Sequence, residues 1–204
     1  MREWVSLNGR LIAADQAHVS VFDSGLVQGI GLFETMRTYN GRVFRLEAHL
    51  ERLAASAEKL GWVTRPSIDE CRFNINQVIS ATEQSDARVR LTVTTGSLRH
   101  SDADEPRLTV IASAMPGADY PAEHYQRGVT AVWSPYRQSR FDPIAGHKTV
   151  SYFARLLSLR AAHERSALES IWLNDTGEVA EGAISNVFAL MDDVLVTPPS
   201  AARR

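Results

Sequence analysis

The stretch LFETMRTYNGRVFRLEAHLERLAASAEKLG, residues 32–61, changes from strand periodicity to helix periodicity and decides the fold class. It begins with a strand-like run, Leu32 to Tyr39, which Asn40-Gly41 follows. An Asn-Gly pair favours a type I′ turn because both residues tolerate positive φ, so a β-hairpin is predicted. From Leu46 onward apolar residues recur at helical spacing, and Gly61 is placed to end that helix. A strand pair followed by a helix predicts an α+β protein.

The same patterns recur on both sides of this stretch. Asn8-Gly9 separates two short apolar runs and predicts another hairpin, Ser67 begins a capping box that predicts a second helix, and residues 88–94 alternate as a strand. The second half is expected to contain a helix and several short strands. The helix is predicted from about Val150 to Arg165, and the strands at 129–133, 171–173, 187–190 and 194–196, with Asp192-Asp193 as the last turn.

A stretch from Met115 to Pro121 interrupts both periodicities with two prolines and a glycine. We therefore predict two sheet-containing domains of α+β class joined by a short linker. The N-terminal domain is predicted over residues 1–114, the linker over 115–125 and the C-terminal domain over 126–204.

Composition excludes several functional classes. Among 204 residues, 22 Lys and Arg balance 24 Asp and Glu, a net charge of −2 that disfavours nucleic acid as a partner. The single cysteine, Cys71, cannot form an intramolecular disulfide, and the first residues lack the apolar segment of a secretory signal. No apolar run approaches the roughly 18 to 20 residues that span a bilayer. A cytoplasmic protein without a membrane anchor is expected.

Common site motifs are also missing from the sequence. Gly25, Gly29 and Gly31 do not have the spacing of a dinucleotide-binding loop, and no Lys-Ser or Lys-Thr pair follows them. The histidines are scattered without cysteine partners, so no metal site is predicted. Ser24-Gly25 lacks the preceding glycine of a nucleophile elbow.

Single charged residues beside predicted strands and helices remain as candidates. Lys148 precedes the predicted C-terminal helix, Glu181 lies at a strand end, and Arg52 lies on the first long helix. Each of them, taken alone, is most often a solvated surface residue or a member of a surface ion pair. Their sequence context changes that interpretation.

Four blocks of sequence occur in order: Phe33 to Arg37, Phe44 to Leu53, Lys148 to Tyr152, and Glu178 to Phe188. Together they closely resemble the class-IV aminotransferases, the fold-type IV enzymes that use pyridoxal 5′-phosphate (PLP). That family includes branched-chain and D-amino-acid transaminases and 4-amino-4-deoxychorismate lyase. The resemblance covers nearly the whole chain, and it implies a PLP enzyme with an amino-acid-like small molecule as substrate.

The resemblance implies roles for residues that would hold the cofactor ring. Lys148 would bind the cofactor aldehyde covalently and then move the α-proton of the substrate, for which its free amine must be available. Glu181 would face the pyridine nitrogen and keep it protonated, so that the ring withdraws electrons. Tyr152 would hydrogen-bond the 3′-oxygen of the ring.

The resemblance also implies how the cofactor phosphate would be held. Arg52 would bind it, since a planar guanidinium fork suits a phosphate better than an ammonium does, and Ser185 and Asn186 would help. Family members continue past the position of Pro199 through a segment with a Gly-Ile-Thr-Arg-like turn that completes the phosphate site. We therefore expect a fold-type IV C-terminal domain that is incomplete within these 204 residues.

Substrate contacts and assembly are implied in the same way. Phe33, Arg37 and Arg90 match the substrate region of the family, and Arg90 is placed where branched-chain enzymes carry an arginine. Thr95 stands where some D-amino-acid enzymes have an arginine, so their carboxylate-binding arrangement is not expected. The family forms its site near a subunit interface, so a homodimer is expected, with loop Ser97–Glu105 reaching the partner's site.

Thr35 is the residue that best separates the reactions within the family. Branched-chain transaminases usually carry glycine after Phe-Glu, whereas the lyase resembles Phe-x-Thr, with that hydroxyl delivering a proton as pyruvate departs. We therefore expect 4-amino-4-deoxychorismate lyase activity that releases pyruvate and 4-aminobenzoate. A branched-chain or D-amino-acid transaminase is the alternative, and a truncated, non-catalytic remnant is a third interpretation.

Overall fold

The structure is a computed structural model that describes residues 3–82, 84–99, 107–117 and 119–199. Short strands alternate with helices along the chain. In chain order the elements are β1 Trp4–Leu7, β2 Arg10–Ala13, α1 Ser24–Val27, β3 Gly31–Tyr39, β4 Arg42–Val43, α2 Leu46–Lys59, α3 Ile68–Ala81, β5 Ala87–Thr94, β6 Thr109–Pro116, α4 Ala122–Arg127, β7 Ala131–Gln138, α5 Phe153–His163, β8 Glu169–Asn174, β9 Val179–Gly182, β10 Ala189–Met191 and β11 Val194–Val196.

The chain divides into two compact units, Met1–Asp119 with Lys148–Ser151, and Tyr120–His147 with Tyr152–Arg204. The division after Asp119 falls inside the predicted linker. That linker is shorter than the predicted 115–125, because β6 continues to Pro116 and α4 begins at Ala122. A division by sequence position alone could not assign Lys148–Ser151 to the first unit.

The first unit is built on an antiparallel sheet of six strands in the order β2-β1-β6-β5-β3-β4. Both predicted Asn-Gly hairpins are confirmed. Asn8 and Gly9 have φ values of 50° and 78°, and Asn40 and Gly41 have φ values of 49° and 74°. Positive φ at both central positions is the property for which this dipeptide is selected in hairpins.

Helices α2 and α3 cover one face of that sheet, as their sequence signals predict. Gly61, which follows the C-cap residue Leu60 of α2, has a φ of 72°. The Ser67 side chain accepts a hydrogen bond from the Glu70 amide at the start of α3. Between helices and sheet lies the core of the unit, in which burial raises the pKa of the Cys71 thiol to about 12. Its buried residues are Leu32, Met36, Leu50, Leu53, Ala57, Cys71, Ile75, Val78, Val89, Leu91, Val93, Val110 and Ala112.

Strand β3 presents different residues to its two faces because side chains alternate along a strand. Leu32 and Met36 enter the core beneath the helices, and Glu34, which lies between them, is on the same face. Phe33 and Thr35 are on the opposite face. This alternation determines which of the predicted site residues can meet.

Asn74 joins helix α3 to the first hairpin inside the core. It is fully buried, its Oδ1 accepts hydrogen bonds from Ser6 Oγ at 2.7 Å and the Gly9 amide at 2.9 Å, and its Nδ2 donates to the Glu70 carbonyl at 2.8 Å. Buried polar groups that lose their partners pay a desolvation penalty. Asn74 is therefore a structural residue rather than a site residue.

Replacing Asn74 with alanine is expected to lower the free energy of unfolding by about 2–4 kcal/mol. It removes the acceptor of the Gly9 amide and one of the two acceptors near the Ser6 hydroxyl, and it opens a small cavity. Urea unfolding measures the change. Asn76→Ala, at an exposed position of the same helix, is the matched control and should stay within about 0.5 kcal/mol of the parent chain. Equal stabilities for the two variants would contradict a structural role of Asn74.

The second unit contains a three-stranded sheet in the order β7-β8-β9. Strands β7 and β8 are parallel, α5 connects them, and β9 runs antiparallel to β8. Strands β10 and β11 form a separate hairpin whose turn, Asp192-Asp193, has positive φ at both residues, as the sequence predicts. The strand predicted over 187–190 is observed as β10, which begins only at Ala189 and ends at Met191. The strand predicted over 129–133 is β7, which begins at Ala131 and extends to Gln138.

The predicted helix from Val150 is wrong at its start, because α5 begins at Phe153. Residues 148–150 pair with β3 instead, with Thr149 bridged to Leu32. The Phe33 amide donates to the Lys148 carbonyl at 2.8 Å, and the Val150 amide donates to the Gly31 carbonyl at 2.9 Å. These long-range bonds satisfy backbone groups that an additional helical turn would have used, and they place Lys148 beside β3.

Among the helices of the described residues, none combines the length and the apolar character needed to cross a membrane.

Candidate active site

Lys148 lies beside two of the residues predicted to contact substrate. Its side chain is half-buried, and its Nζ is 5.2 Å from the centre of the Phe33 ring. The guanidinium carbon of Arg90 is 4.0 Å from the same ring centre. Both cations contact the aromatic ring on the sheet face opposite to α2 and α3. The structure therefore brings Phe33, Arg90 and Lys148 together within the first unit.

Thr35 is exposed on the same face of β3 as Phe33. Its position is directly opposite Arg90 in the β3–β5 register. On the other edge of β3, Leu32 is bridged to Thr149 and Thr38 pairs with β4, so Thr35 lies between these two pairings. A small molecule at this edge could reach the Thr35 hydroxyl from the face that carries Lys148.

Arg37 is placed further along β3 and is paired with a carboxylate. Its Nη2 is 2.8 Å from an Asp119 carboxylate oxygen, and this hydrogen bond raises the pKa of the guanidinium above its usual value. Arg37 also lies over the Tyr39 ring, 5.1 Å from its centre. Its role in substrate binding stays a prediction, and in this arrangement a substrate carboxylate would have to compete with Asp119.

Arg52 is on the helix-covered side of β3, where Glu34 holds it. Arg52 Nε donates to Glu34 Oε1 at 2.7 Å and Nη2 donates to Oε2 at 2.5 Å. The Nδ1 atom of His49, one turn earlier on α2, is 2.8 Å from Oε2. Glu34 is buried, whereas about half of the Arg52 side chain is exposed, and the hydrogen bond to Glu34 raises the pKa of Arg52.

Glu181 is paired with an arginine that the sequence analysis did not single out. Arg155, on α5, donates from Nη2 to Glu181 Oε1 at 2.5 Å and from Nη1 to the Gly182 carbonyl at 3.3 Å. The Arg155 guanidinium also lies over the Trp172 ring, 4.2 Å from its centre, and binds Gln138. These contacts fix the Glu181 carboxylate on β9 of the second unit.

The remaining predicted cofactor residues of the second unit have partners within that unit or are exposed. The Tyr152 hydroxyl donates to the Ala183 carbonyl at 2.8 Å, so it would have to redirect its proton to hydrogen-bond a cofactor oxygen. Ser185 Oγ donates to Glu169 Oε2 at 2.6 Å, and Asn186 is exposed. Their roles in binding the cofactor stay predictions.

The residues that sequence reasoning missed are Glu34, His49 and Arg155. The sequence contains a signal that could have identified Glu34, because a carboxylate at a core-facing position of a strand needs a cationic or hydrogen-bonding partner. No comparable sequence signal identifies His49 or Arg155, since their contacts depend on how helices pack against strands. Across the described residues, no group of three or more His, Cys, Asp or Glu side chains could hold a metal ion.

Comparison with known proteins identifies the class to which this fold and these residues belong. The structure matches the branched-chain amino acid aminotransferase of Escherichia coli with a TM-score of 0.87 at 28% identity, over 100% of this chain and 70% of that one. It matches 4-amino-4-deoxychorismate lyase from Pseudomonas aeruginosa with a TM-score of 0.82 at 29% identity, over 98% and 71%. The protein thus has the fold of the fold-type IV PLP enzymes.

Sequence comparison then identifies the family. A sequence model described as amino-transferase class IV matches residues 31–203. The chain is 32% identical over 203 residues to a putative branched-chain-amino-acid aminotransferase of Methanocaldococcus jannaschii, and 30% identical over 199 residues to a D-alanine aminotransferase of Staphylococcus epidermidis, covering 96% of this chain and 68% of each relative. The chain belongs to the class IV aminotransferase family, whose members are PLP-dependent transaminases and lyases.

The chemistry of the side chains present fits PLP. A half-exposed guanidinium, Arg52, suits a phosphate, and a half-buried lysine beside an aromatic ring, Lys148, suits an aldehyde. A carboxylate that a guanidinium holds in place, Glu181, suits a ring nitrogen that carries a proton. The chain spans about 70% of the length of the solved structures that it matches.

Proposed function

We propose that this protein is a PLP-dependent enzyme that acts on an amino-acid-like substrate, and that its reaction is the elimination performed by 4-amino-4-deoxychorismate lyase. The observation that supports this choice is the position of Thr35. Its side chain leaves β3 on the same face as Phe33, whose ring Lys148 contacts. A hydroxyl on that face is a candidate donor of the proton that the departing pyruvate requires.

Each side chain of the site has a proposed task. Bound PLP supplies an electron sink that stabilises the carbanion left when the substrate loses its α-proton. Lys148 would hold the cofactor and would take that proton at Nζ. Phe33 and Arg90 form the wall against which the substrate binds. Arg52 holds the phosphate, with help from Ser185 and Asn186.

Two residues of the second unit are proposed to act on the cofactor ring. Glu181, which Arg155 holds at 2.5 Å, accepts the hydrogen bond of the protonated ring nitrogen. Tyr152, whose hydroxyl donates to the Ala183 carbonyl in this structure, would instead donate that hydrogen bond to the 3′-oxygen of the ring. These residues would therefore keep the ring protonated and oriented during either reaction of the family.

A transaminase is the second candidate. The observation in its favour is that the matching proteins at 32% and 30% identity are named as branched-chain and D-alanine aminotransferases. Transamination needs the same Lys148, Glu181 and Arg52, and differs only in where the next proton is delivered. The Thr35 hydroxyl has no proposed role in transamination, and this difference distinguishes the lyase from the transaminase.

Thr35→Val is the test, because valine keeps the shape and strand preference of threonine and removes the hydroxyl. If the protein is a lyase, pyruvate release from 4-amino-4-deoxychorismate should fall by about 10²–10⁴-fold, the usual contribution of a positioned proton donor. The measurement is pyruvate formation, with amino transfer from D-alanine and from leucine to a 2-oxo acid assayed in parallel.

The outcomes separate the candidates. Transfer activity in the parent chain that Thr35→Val leaves intact, without pyruvate release, would replace the lyase by a transaminase. Absence of both activities, together with failure to retain PLP, would identify a non-catalytic remnant. Retention of PLP with pyruvate release that depends on Thr35 would support the proposal.

We also propose that the protein is a homodimer. Membership of the class IV family supports this assembly, because the resemblance to that family implies sites near subunit interfaces. The loop Ser97–Glu105 was expected to reach the partner's site, and its residues 100–105 lie outside the described residues. Sedimentation velocity in the presence of PLP should give a species of twice the 22.6 kDa chain mass. A monomer that binds PLP would contradict the proposal.

A further inference from the structure

We propose that Glu34 is a positioning residue that holds the Arg52 guanidinium in the orientation in which it binds the cofactor phosphate. This inference rests on the proposed function, which assigns the phosphate to Arg52. Glu34 itself does not touch the cofactor. It acts through Arg52, and it would therefore affect the phosphate contact without affecting the rest of the cofactor.

The position of Glu34 is unusual for a carboxylate. It lies on β3 between Leu32 and Met36, on the face that packs against the helices, and only 1% of its surface is exposed. Burying a carboxylate is costly unless hydrogen bonds and a cation compensate it. Since the strand is paired with β5 over its core-facing length, the carboxylate is held on a rigid element.

The contact between the two side chains leaves part of the guanidinium available to a second anion. Glu34 Oε1 and Oε2 accept from Nε and Nη2, which lie on one edge of the planar fork. The opposite edge, with Nη1, is directed away from Glu34. The Arg52 side chain is 52% exposed, although the Glu34 carboxylate that binds it is buried. A phosphate can therefore approach the outer edge while Glu34 holds the inner one.

His49 fixes Glu34 from the same helix. Its Nδ1 is 2.8 Å from Oε2, and because a carboxylate can only accept, the Nδ1–H donates in this contact. His49 and Arg52 are three residues apart on α2, so both project from one side of the helix toward the strand. The carboxylate is thereby held by three donor atoms from two side chains, which limits its rotation.

A fixed guanidinium binds an anion at lower entropic cost than a mobile one. An arginine side chain loses rotamer freedom when it is immobilised on a ligand, and an arginine that is already immobilised does not pay this cost again. Glu34 thus contributes to phosphate affinity through the orientation of Arg52. A purely structural ion pair would contribute to stability and leave phosphate affinity unchanged.

The test compares the dissociation constants of PLP and of pyridoxal, which lacks the phosphate, for each variant by absorbance titration. Their ratio reports the phosphate contact alone. Arg52→Ala should reduce the preference for PLP by about 10- to 100-fold, the range expected for charge-assisted hydrogen bonds. Glu34→Gln should reduce it by about 3- to 10-fold, and Glu34→Asp, which keeps the charge but shortens the side chain, by less.

Glu47→Gln is the matched control. Glu47 is on the same helix and accepts from Arg72 at 2.8 Å at the exposed surface, so its removal should not change the ratio. In the double variant Glu34→Gln with Arg52→Ala, the ratio should equal that of Arg52→Ala alone, because Glu34 acts only through Arg52.

Each outcome has a separate meaning. If Arg52→Ala lowers the PLP preference and Glu34→Gln does not, the positioning role is wrong and the phosphate role of Arg52 stands. If Glu34→Gln weakens PLP and pyridoxal equally, Glu34 is only structural and the inference also fails. If Arg52→Ala leaves the ratio unchanged, the proposed phosphate role fails and the inference fails with it.

Discussion

Replacing Lys148 with alanine is expected to abolish covalent cofactor binding and enzymatic activity together. The variant removes both the amine proposed to bond the cofactor aldehyde and the base proposed to move the α-proton. Loss of the proton-transfer role alone costs about 10²–10⁴-fold in rate, and loss of the covalent role adds to it. The visible absorption spectrum after addition of PLP, and the rate of product formation, are the two measurements.

The small number of lysines in the chain simplifies the assignment of the residue that binds the cofactor. Its two lysines are Lys148, half-buried beside Phe33, and Lys59, exposed in the last turn of α2. Borohydride reduction followed by mass spectrometry should therefore find the cofactor on Lys148, and Lys59→Arg should leave both spectrum and labelling unchanged. Cofactor recovered mainly on Lys59 would overturn the assignment of Lys148.

Removing the charge of Glu181 is also expected to lower the rate strongly. In Glu181→Gln the amide oxygen can still accept from Arg155, so the contact that holds the side chain is retained. The negative charge proposed to stabilise a protonated ring nitrogen is lost. Removal of one preorganised electrostatic partner typically lowers kcat by about 10²–10³-fold. Steady-state kinetics at saturating PLP gives this value.

Glu178→Gln provides the control for Glu181. Glu178 precedes the same strand, and hydrogen bonds from Asn174 and Thr176 hold the pKa of its carboxyl below the usual range, so it is another ionised carboxylate close by in sequence. It has no proposed role in catalysis, and kcat should not change. Equal losses of kcat in the two variants would indicate a general effect of charge or of stability. Thermal unfolding of both variants distinguishes an effect on stability from an effect of charge.

The positions of turns and helix ends could be predicted because their causes are local. Asn40-Gly41 and Gly61 adopt the positive φ values that their side chains permit, and Ser67 caps α3 through a hydrogen bond to a residue three positions away. Such signals depend on neighbours in sequence, and the prediction of an α+β fold rested on them. The same reasoning failed at Val150, where partners distant in sequence determine the conformation.

For the candidate site, the sequence proposed a set of residues and left their arrangement open. The order of four sequence blocks pointed to the family and to Lys148, Arg52 and Glu181. No pattern in the sequence pairs Arg155 with Glu181, since α5 and β9 meet only through the packing of the second unit.

By itself, then, the sequence determined the class of fold and the family, because these follow from local conformational preferences and from residue order. Only the tertiary structure decided that Lys148 lies along β3, that Phe33 and Glu34 leave this strand on opposite faces, and that Glu34 binds Arg52. Hydrogen bonds and burial between distant segments produce these contacts, and the free energy that selects them comes from the assembled core rather than from any single stretch of chain.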